Sequence, residues 1–238
     1  MAKHSMSSEK ASLVKRRGHT EELTFNTIFG GKKLTSLNLS GDSEDCFVEN
    51  SKYKEIIQKD LKYYEDNLSV SLKSGNTWQF HLGRIDEIST LEFIKENVTK
   101  EIDTKGKEYT KVVYSKSFED QLTILKSEHF WNKYFGKKGN LLCFNDKKGT
   151  YTFFEMKRVV GVIINQFKWR LLETGRIKGD CIIQNKEKKG VITIEYRAES
   201  HKQSLVLGSS GGTGNSANGY RLFLLLKENI AFSEIALN

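Results

Sequence analysis

The chain has 238 residues, no proline, three cysteines and a formal net charge of +8 at pH 7. Hydrophobic residues make up 37% and charged residues 29%, which is typical of a folded, highly charged protein and excludes a disordered chain. The missing prolines exclude Pro-rich linkers and PxxP segments, and the three widely spaced cysteines argue against a disulfide framework or a structural zinc site.

No stretch approaches the ~20 apolar residues that span a bilayer, and the N-terminus lacks the apolar segment of a signal peptide. We therefore expect a cytoplasmic protein with no membrane partner. Basic residues are in excess in the C-terminal part, where residues 151–238 hold 13 Lys+Arg against 8 Asp+Glu. This excess favours a polyanionic partner there, although an AT-biased genome would give a similar composition.

The N-terminal region divides into a basic segment, residues 1–19, and a predicted helix that begins at Thr20. Glu21 and Glu22 suit the positive first turn of this helix, and Gly30-Gly31 ends it. Three apolar side chains fall on one face of the helix: Phe25, Ile28 and Phe29.

A short strand, Cys46 to Val48, directly follows Asp45, and helical spacing returns between Tyr53 and Tyr64. Residues 68–73 then alternate between apolar and polar side chains, which predicts a half-buried strand. After a turn, residues 78–82 alternate in the same way. We expect this second strand to pair with the first, with His81 across from Lys73.

The rest of the chain reads as a succession of helices and strands that closes with an apolar strand, Tyr220 to Leu226. The intervening predictions are helices at 86–101 and 117–135, strands at 141–144 and 151–154, a strand or helix at 157–172, and strands at 180–184 and 190–197.

A glycine-rich loop, Gly208 to Gly219, precedes the last predicted strand, and Gly212 to Ala217 fits the pattern GxGxxA. A dinucleotide site needs a helix after this pattern and a βαβ unit around it, so the predicted strand argues against one. The loop is then either a hairpin tip or a DNA contact, in which Asn215 and Asn218 read adenine edges or phosphates.

Five residues form an ordered set that suits phosphodiester hydrolysis: Glu22 on a helix, Asp45 before a strand, and Ser71-Leu72-Lys73 on another strand. Magnesium needs hard oxygen ligands, which Asp45, Glu22 and the Leu72 carbonyl can supply. Lys73 can stabilise the developing charge or activate the attacking water. Other carboxylates nearby could take the place of Asp45 or Glu22 as metal ligands.

Those rivals are Glu21 for the helix position, and Asp42 or Glu44 for Asp45. The order of the five residues resembles the PD-(D/E)xK nuclease superfamily, and more narrowly type II restriction endonucleases of the HinP1I and MspI kind. Ser71 looks like the neutral replacement that this group carries two residues before its catalytic lysine. The segment Val191 to Arg197, followed by Gly211 to Asn215 and Ala217-Asn218, is similar to the C-terminal pattern of the group.

The sequence departs from the superfamily pattern at three points. No proline precedes Asp45, Ser71 is a poor metal ligand, and the 28-residue separation of Asp45 from Lys73 requires the segment from Tyr53 to Tyr64 to loop out.

The resemblance implies an α/β fold with a central mixed β-sheet flanked by helices, in one domain from residue 20 to 238. It also implies a β-rich C-terminal part, residues 157–238, that contacts DNA. The implied function is magnesium-dependent cleavage of double-stranded DNA at a specific sequence. The expected partners are DNA, a second copy of the chain at a palindromic site, and a cognate DNA methyltransferase as the genetic partner. The expected DNA-binding residues are Arg170, Arg176, Arg197, His201, Thr213, Asn215 and Asn218.

Two other functions also fit the sequence. One is a non-catalytic nucleic-acid-binding protein, whose basic and aromatic residues dock DNA or RNA. The other is a structure-specific or repair nuclease of the same superfamily.

Overall fold

A computed structural model describes residues 20–31, 46–74, 79–84, 97–102, 104–106, 108–113, 117–135, 139–146, 148–171, 177–183, 186–197, 204–208 and 216–237. The helices in this part of the chain are α1 (20–29), α2 (Ser51–Leu61), α3 (Phe118–Leu125), α4 (Glu128–Phe135), α5 (Met156–Gln166) and α6 (Ser216–Asn229). The strands are β1 (Cys46–Val48), β2 (Leu68–Ser74), β3 (Gln79–Arg84), β4 (Asn97–Ile102), β5 (Glu108–Val113), β6 (Leu141–Asn145), β7 (Thr150–Glu155), β8 (Lys168–Leu171), β9 (Ile177–Ile183), β10 (Lys186–Arg197), β11 (Ser204–Gly208) and β12 (Ser233–Ala236).

The described strands form two five-stranded sheets and one two-stranded ribbon. The first sheet has the order β1-β2-β6-β7-β12, and within it β2 and β6 are parallel while the other neighbours are antiparallel. The second sheet has the order β3-β11-β10-β9-β8 and is antiparallel throughout. Strands β4 and β5 form the ribbon. The prediction of an α/β protein with a mixed sheet and helices is confirmed.

Both faces of the first sheet are covered. On one face, α1 and α2 contribute Phe25, Phe29, Ile57 and Leu61 to a cluster with the sheet residues Val70 and Cys143. On the other face, a second cluster joins the first sheet to α3, α4, α5, α6 and the second sheet. It includes Leu142, Phe144, Trp131, Ile163, Leu225, Trp169 and Cys181.

Polar hydrogen bonds fix the helices of the first face to the sheet. The Asn26 side chain on α1 is buried and accepts the backbone N–H of Phe47 in β1 (3.4 Å). Ser233 in β12 donates its hydroxyl to the carboxylate of Asp60 in α2 (2.7 Å). Because a buried polar group is stable only when it is paired, these bonds specify where each helix lies on the sheet.

Strand β2 is more deeply buried than its alternating sequence predicts. Ser69 and Ser71 are 4% and 1% exposed, because the second cluster covers the face that was expected to be solvated. The Ser69 hydroxyl accepts the backbone N–H of Asn140 (3.0 Å), so this burial leaves the hydroxyl paired. The prediction of a half-buried strand is therefore wrong for residues 68–71.

The predicted partner of β2 is also wrong. Strand β3 pairs with β11 in the second sheet, where His81 is in register with Val206, and β2 pairs instead with β1 and β6. Alternation shows which residues share a face but does not select the neighbouring strand. His81 therefore does not lie on a strand paired with Lys73.

Three other elements differ from the sequence-based expectation. The predicted helix at 86–101 ends in strand β4, whose residues Asn97 to Ile102 pair with β5; residues 85–96 lie outside the described residues. The helix at 117–135 is two helices, since the chain turns at Lys126 and Ser127. The predicted strand Tyr220 to Leu226 is part of α6.

The described part of the chain holds no helix that combines the length and the apolar character needed to cross a membrane.

Candidate active site at the end of strand β2

The candidate residues Ser71, Leu72 and Lys73 lie in the second half of β2. Ser71 is in register with Leu142 of β6 and is fully buried, whereas Lys73 is in register with Phe144 and is half-buried. The Lys73 ammonium donates to the backbone carbonyl of Leu72, with Nζ 3.3 Å from the oxygen. This carbonyl oxygen, which we predicted as a metal ligand, therefore already lies next to a positive charge.

The start of β1 lies beside these residues. Cys46, the first residue of β1, is paired with Val70, which directly precedes Ser71. The connection between the two strands is helix α2, capped by the Asn50 side chain, which accepts the N–H of Lys52. The segment that the sequence required to loop out is thus a helix packed on the sheet, and it returns the chain to the neighbouring strand.

The carboxylate predicted to accompany Lys73 directly precedes β1 in the chain. Asp45 lies outside the described residues, as do its rivals Asp42 and Glu44.

The helix carboxylates lie on the other face of the first sheet. Glu21 accepts the side-chain N–H of Asn145 (3.3 Å), and the Cys46 thiol lies 4.0 Å from the Glu22 carbonyl. Helix α1 packs on the cluster that contains Phe25, while Lys73 shares the face of Phe144 in the other cluster. The structure does not bring Glu22 to the face of the sheet that carries Lys73.

The face of the first sheet below α1 holds two buried hydroxyl groups, those of Tyr151 and Ser74. Tyr151 is buried beneath α1, and burial, with smaller effects from Cys143 and Glu21, raises the pKa of its phenol to about 12. The Ser74 hydroxyl at the end of β2 is buried without a hydrogen-bond partner in the described structure. Burial on this face therefore favours the neutral form of the Tyr151 phenol.

The described residues supply only part of a magnesium ligand set. The Ser71 hydroxyl and the Leu72 carbonyl are neutral oxygens, and the described residues contain no cluster of three or more His, Cys, Asp or Glu that could hold a metal. Magnesium binding in proteins usually involves one or two carboxylates together with water. A magnesium site at Lys73 therefore depends on a carboxylate from the segment before β1.

Three of the predicted DNA-binding residues lie in the described part of the chain. Arg170 is exposed on β8, the edge strand of the second sheet, and its Nε lies 2.7 Å from a carboxylate oxygen of Asp180 on β9. Asn218 belongs to the first turn of α6 rather than to a loop. Arg197 ends β10, opposite Ser204 of β11. The remaining predicted residues, Arg176, His201, Thr213 and Asn215, lie outside the described residues.

The helix α6 also changes one reason for excluding a dinucleotide site. A helix does follow the GxGxxA segment, contrary to the predicted strand. However, β11 before the loop and β12 after α6 belong to different sheets. Among the described elements no βαβ unit surrounds the loop, so the exclusion now rests on topology alone.

A literal acidic-x-Lys sequence, Glu155-Met156-Lys157, also matches the nuclease pattern but was not predicted as a site. It ends β7 and begins α5, with the nearest upstream aspartate, Asp146, at the other end of the β6–β7 hairpin. Leu141 pairs with Glu155, whereas Asp146 lies opposite Thr150, so the two carboxylates are separated by five residues, or roughly 17 Å of strand. This sequence therefore does not assemble the paired carboxylates of a nuclease.

Asp146 instead stabilises a turn. One of its carboxylate oxygens accepts the backbone N–H groups of Lys148 (2.7 Å) and Thr150 (3.0 Å). Partial burial acts to raise its pKa, but these hydrogen bonds outweigh that effect and lower the pKa below its usual value.

The fold and the site together define an α/β protein with a fully covered mixed sheet, and with a lysine at the end of a strand next to the first strand of that sheet. None of the protein-family models, curated proteins or solved structures compared with this chain matches it.

Proposed function

We propose that the chain is a magnesium-dependent endonuclease that hydrolyses phosphodiester bonds in double-stranded DNA at a specific sequence. One observation carries this proposal: β1 begins beside Val70, although α2 lies between the two strands in sequence. Asp45 is the residue before β1, and Lys73 lies three residues beyond Val70 on β2. The register therefore supports a site that joins the two residues.

In this proposal Lys73 acts on the charge of the phosphate. Lys73 is half-buried, and a charge that is partly removed from water interacts more strongly than one in bulk water; the residue lies on a strand whose position is fixed by β1 and β6. It stabilises the negative charge that develops on the attacked phosphate, or orients the attacking water. Asp45 and the Leu72 carbonyl would hold the magnesium ion, and Ser71 would take the place of a second carboxylate. When bound, the ion polarises the phosphoryl oxygen and lowers the pKa of its water.

The overall charge supports a DNA substrate. The chain has a net charge of +8 and a pI near 9.2, which favours association with a polyanion. A restriction function adds a cytoplasmic location, a cognate DNA methyltransferase encoded nearby, and a homodimer if the recognised site is palindromic.

A second candidate function is a nucleic-acid-binding protein without catalysis. The position of α1 favours it, because Glu21 and Glu22 lie on the opposite face of the first sheet from Lys73. The cleavage test below separates the two functions.

The test is cleavage of unmodified plasmid DNA by the full-length protein, with magnesium and with EDTA. The proposal predicts discrete, magnesium-dependent fragments. Asp45→Asn and Lys73→Ala should each lower the cleavage rate by at least about 100-fold, because each removes a charge that acts on the transition state.

Matched controls use exposed residues of the same types outside the site. Asp66→Asn and Lys148→Ala should cut at the wild-type rate. Full activity of either site variant would refute the site, and retarded but intact DNA under all conditions would favour the binding protein. Cleavage of branched or damaged DNA without discrete plasmid fragments would indicate a repair nuclease.

A further inference from the structure

An open groove of about 640 Å³ runs along α5, on the side where α5 faces the turn between α3 and α4. Lys157, Arg158, Gly161 and Asn165 of α5 line it, spaced so that they form one stripe of the helix. Lys126, from the turn, lines the opposite side. None of these residues belongs to the site at Lys73.

The groove lining carries a net positive charge, with Lys126, Lys157 and Arg158 against Glu128 and Glu155. Its carboxylate Glu155 is 13% exposed at the side chain and lies 2.7 Å from Nε of Arg158, so these two charges neutralise each other. Within the described residues, neither Lys126 nor Lys157 forms an ion pair, and both are exposed. The second carboxylate, Glu128, is exposed and accepts a hydrogen bond from the neutral Asn132 amide (3.4 Å), which leaves its charge in place. Two exposed lysines, Lys126 from the α3–α4 turn and Lys157 from α5, therefore line the same groove.

Gly161 also lines the groove. Glycine inside a helix is unfavourable relative to alanine, and a positive φ or close packing usually explains its presence. Neither applies, because a Cβ at Gly161 would meet no atom within 4 Å and the residue does not have a positive φ. The glycine instead leaves the helix backbone open at the centre of the groove.

We propose that this groove binds the sugar-phosphate backbone of duplex DNA, with Lys126 and Lys157 on successive phosphates and Gly161 leaving room for the strand. This inference rests on the proposed function for its choice of DNA as the polyanion. Lysine ammonium groups on phosphates position a duplex without reading its sequence. The groove therefore contributes affinity and orientation, and sequence recognition comes from other parts of the chain.

The experiment measures the affinity of the full chain for two unrelated short duplexes over a range of salt concentrations, in EDTA so that no cleavage occurs. The logarithm of the binding constant falls as the logarithm of the salt concentration rises, and each lost phosphate contact makes this negative slope shallower by about 1. The double variant Lys126→Gln/Lys157→Gln should therefore have a slope shallower by about 2, equally for both duplexes. Lys52→Gln/Lys59→Gln removes the same charge from α2, on the other face of the first sheet, and should leave the slope unchanged.

Substitutions at Gly161 test the space in the groove separately from its charge. Gly161→Ala should raise the Tm by about 1–4 °C, which shows that the fold does not need this glycine. Gly161→Leu should keep the fold but weaken DNA binding on the order of tenfold, because the side chain fills the groove. Gln166→Leu adds the same side chain on α5 outside the groove lining and should bind as the wild type does.

The outcomes separate this inference from the proposed function. If the groove variants keep the wild-type slope and affinity, the groove does not contact DNA and the inference is overturned, even when the protein cuts plasmid. If the wild type binds duplex but never cuts it, and the double lysine variant loses slope, the nuclease proposal fails and the groove stands.

Discussion

Replacing Gly139 by alanine should destabilise the strand that carries the candidate site. Gly139 precedes β6 and has φ +124, and a Cβ added to it would lie 2.9 Å from the Ser69 carbonyl oxygen and 3.0 Å from the Ser71 nitrogen. Both atoms belong to the backbone of β2, so they cannot move away as a flexible side chain could. Alanine at this position must therefore shift either β2 or the start of β6.

Two contributions set the magnitude. A residue other than glycine in this φ region costs about 1–3 kcal/mol, and overpacking against neighbouring atoms costs about another 1–3 kcal/mol. The expected loss in the free energy of unfolding is about 2–6 kcal/mol. For a protein of this size a loss of 1 kcal/mol lowers the Tm by about 2–4 °C, so the change is readily measured.

Equilibrium unfolding in urea, followed by circular dichroism, measures this loss. Gly106→Ala is the matched control, because Gly106 also has a positive φ (+74) but no atom lies within 4 Å of its added Cβ. The control should lose about 1 kcal/mol, from the backbone conformation alone. If Gly139→Ala loses no more than this control, the close contact with β2 does not exist and the reasoning is refuted.

Three further predictions concern the buried aromatic and sulfur groups. Trp131→Phe should lose about 2–4 kcal/mol in urea unfolding, since it leaves the Leu125 carbonyl without the indole N–H that now donates to it (2.8 Å) and opens a cavity; an unchanged midpoint would contradict the hydrogen bond. Because folding raises the pKa of Tyr151 from 10.0 to about 12, its stabilising contribution is complete below pH 10 and is lost as the pH rises to 12; Tyr151→Phe should remove this part of the pH dependence of unfolding, and ultraviolet difference spectra should show a phenol that ionises late. A thiol reagent should modify no cysteine in the native protein and three after denaturation, and rapid native modification of any of them would contradict the burial. These cysteines are Cys46, Cys143 and Cys181.

The elements that the sequence predicted correctly are those in which local signals agree. Helix α1 has acidic residues in its first turn and Phe25 and Phe29 on one face, and both side chains are fully buried as this spacing requires. Strands β1, β6 and β7 were also predicted where the structure has them, because short apolar runs bounded by polar residues are typical of strands in a covered sheet.

The failures arise where the decisive contacts are distant in sequence. The apolar run at 222–226 suits a strand by composition, but α6 is covered by several elements, which bury Leu222, Leu225 and Leu226. A helix buried on most sides cannot be told from a buried strand by periodicity alone. Likewise, nothing local indicates that β2 pairs with β6, with 71 residues separating Ser69 from its hydrogen-bond partner Asn140.

The candidate site was predictable only in part, because some of its features are local in sequence and others depend on distant contacts. The residue types and the strand context of Ser71, Leu72 and Lys73 could be read from the sequence, and the structure places them on one strand as expected. The face occupied by Glu22 could not be read, because it depends on which side of the sheet α1 packs. The groove along α5 also went unnoticed, since it joins Lys126 to α5 only in the folded chain.

The route of the chain between the two sheets has a consequence for folding. The chain enters the first sheet with β1 and β2, passes to the second sheet for β3, returns for β6 and β7, leaves again for β8 to β11, and returns once more for β12. Neither sheet is therefore built from one continuous stretch of chain. A proteolytic cut in a connection between strands separates at least one strand from its neighbours in a sheet. Such a chain should unfold in a single transition, with the loss of circular dichroism and of tryptophan fluorescence coinciding, and limited proteolysis should yield no separately folded fragment of either sheet.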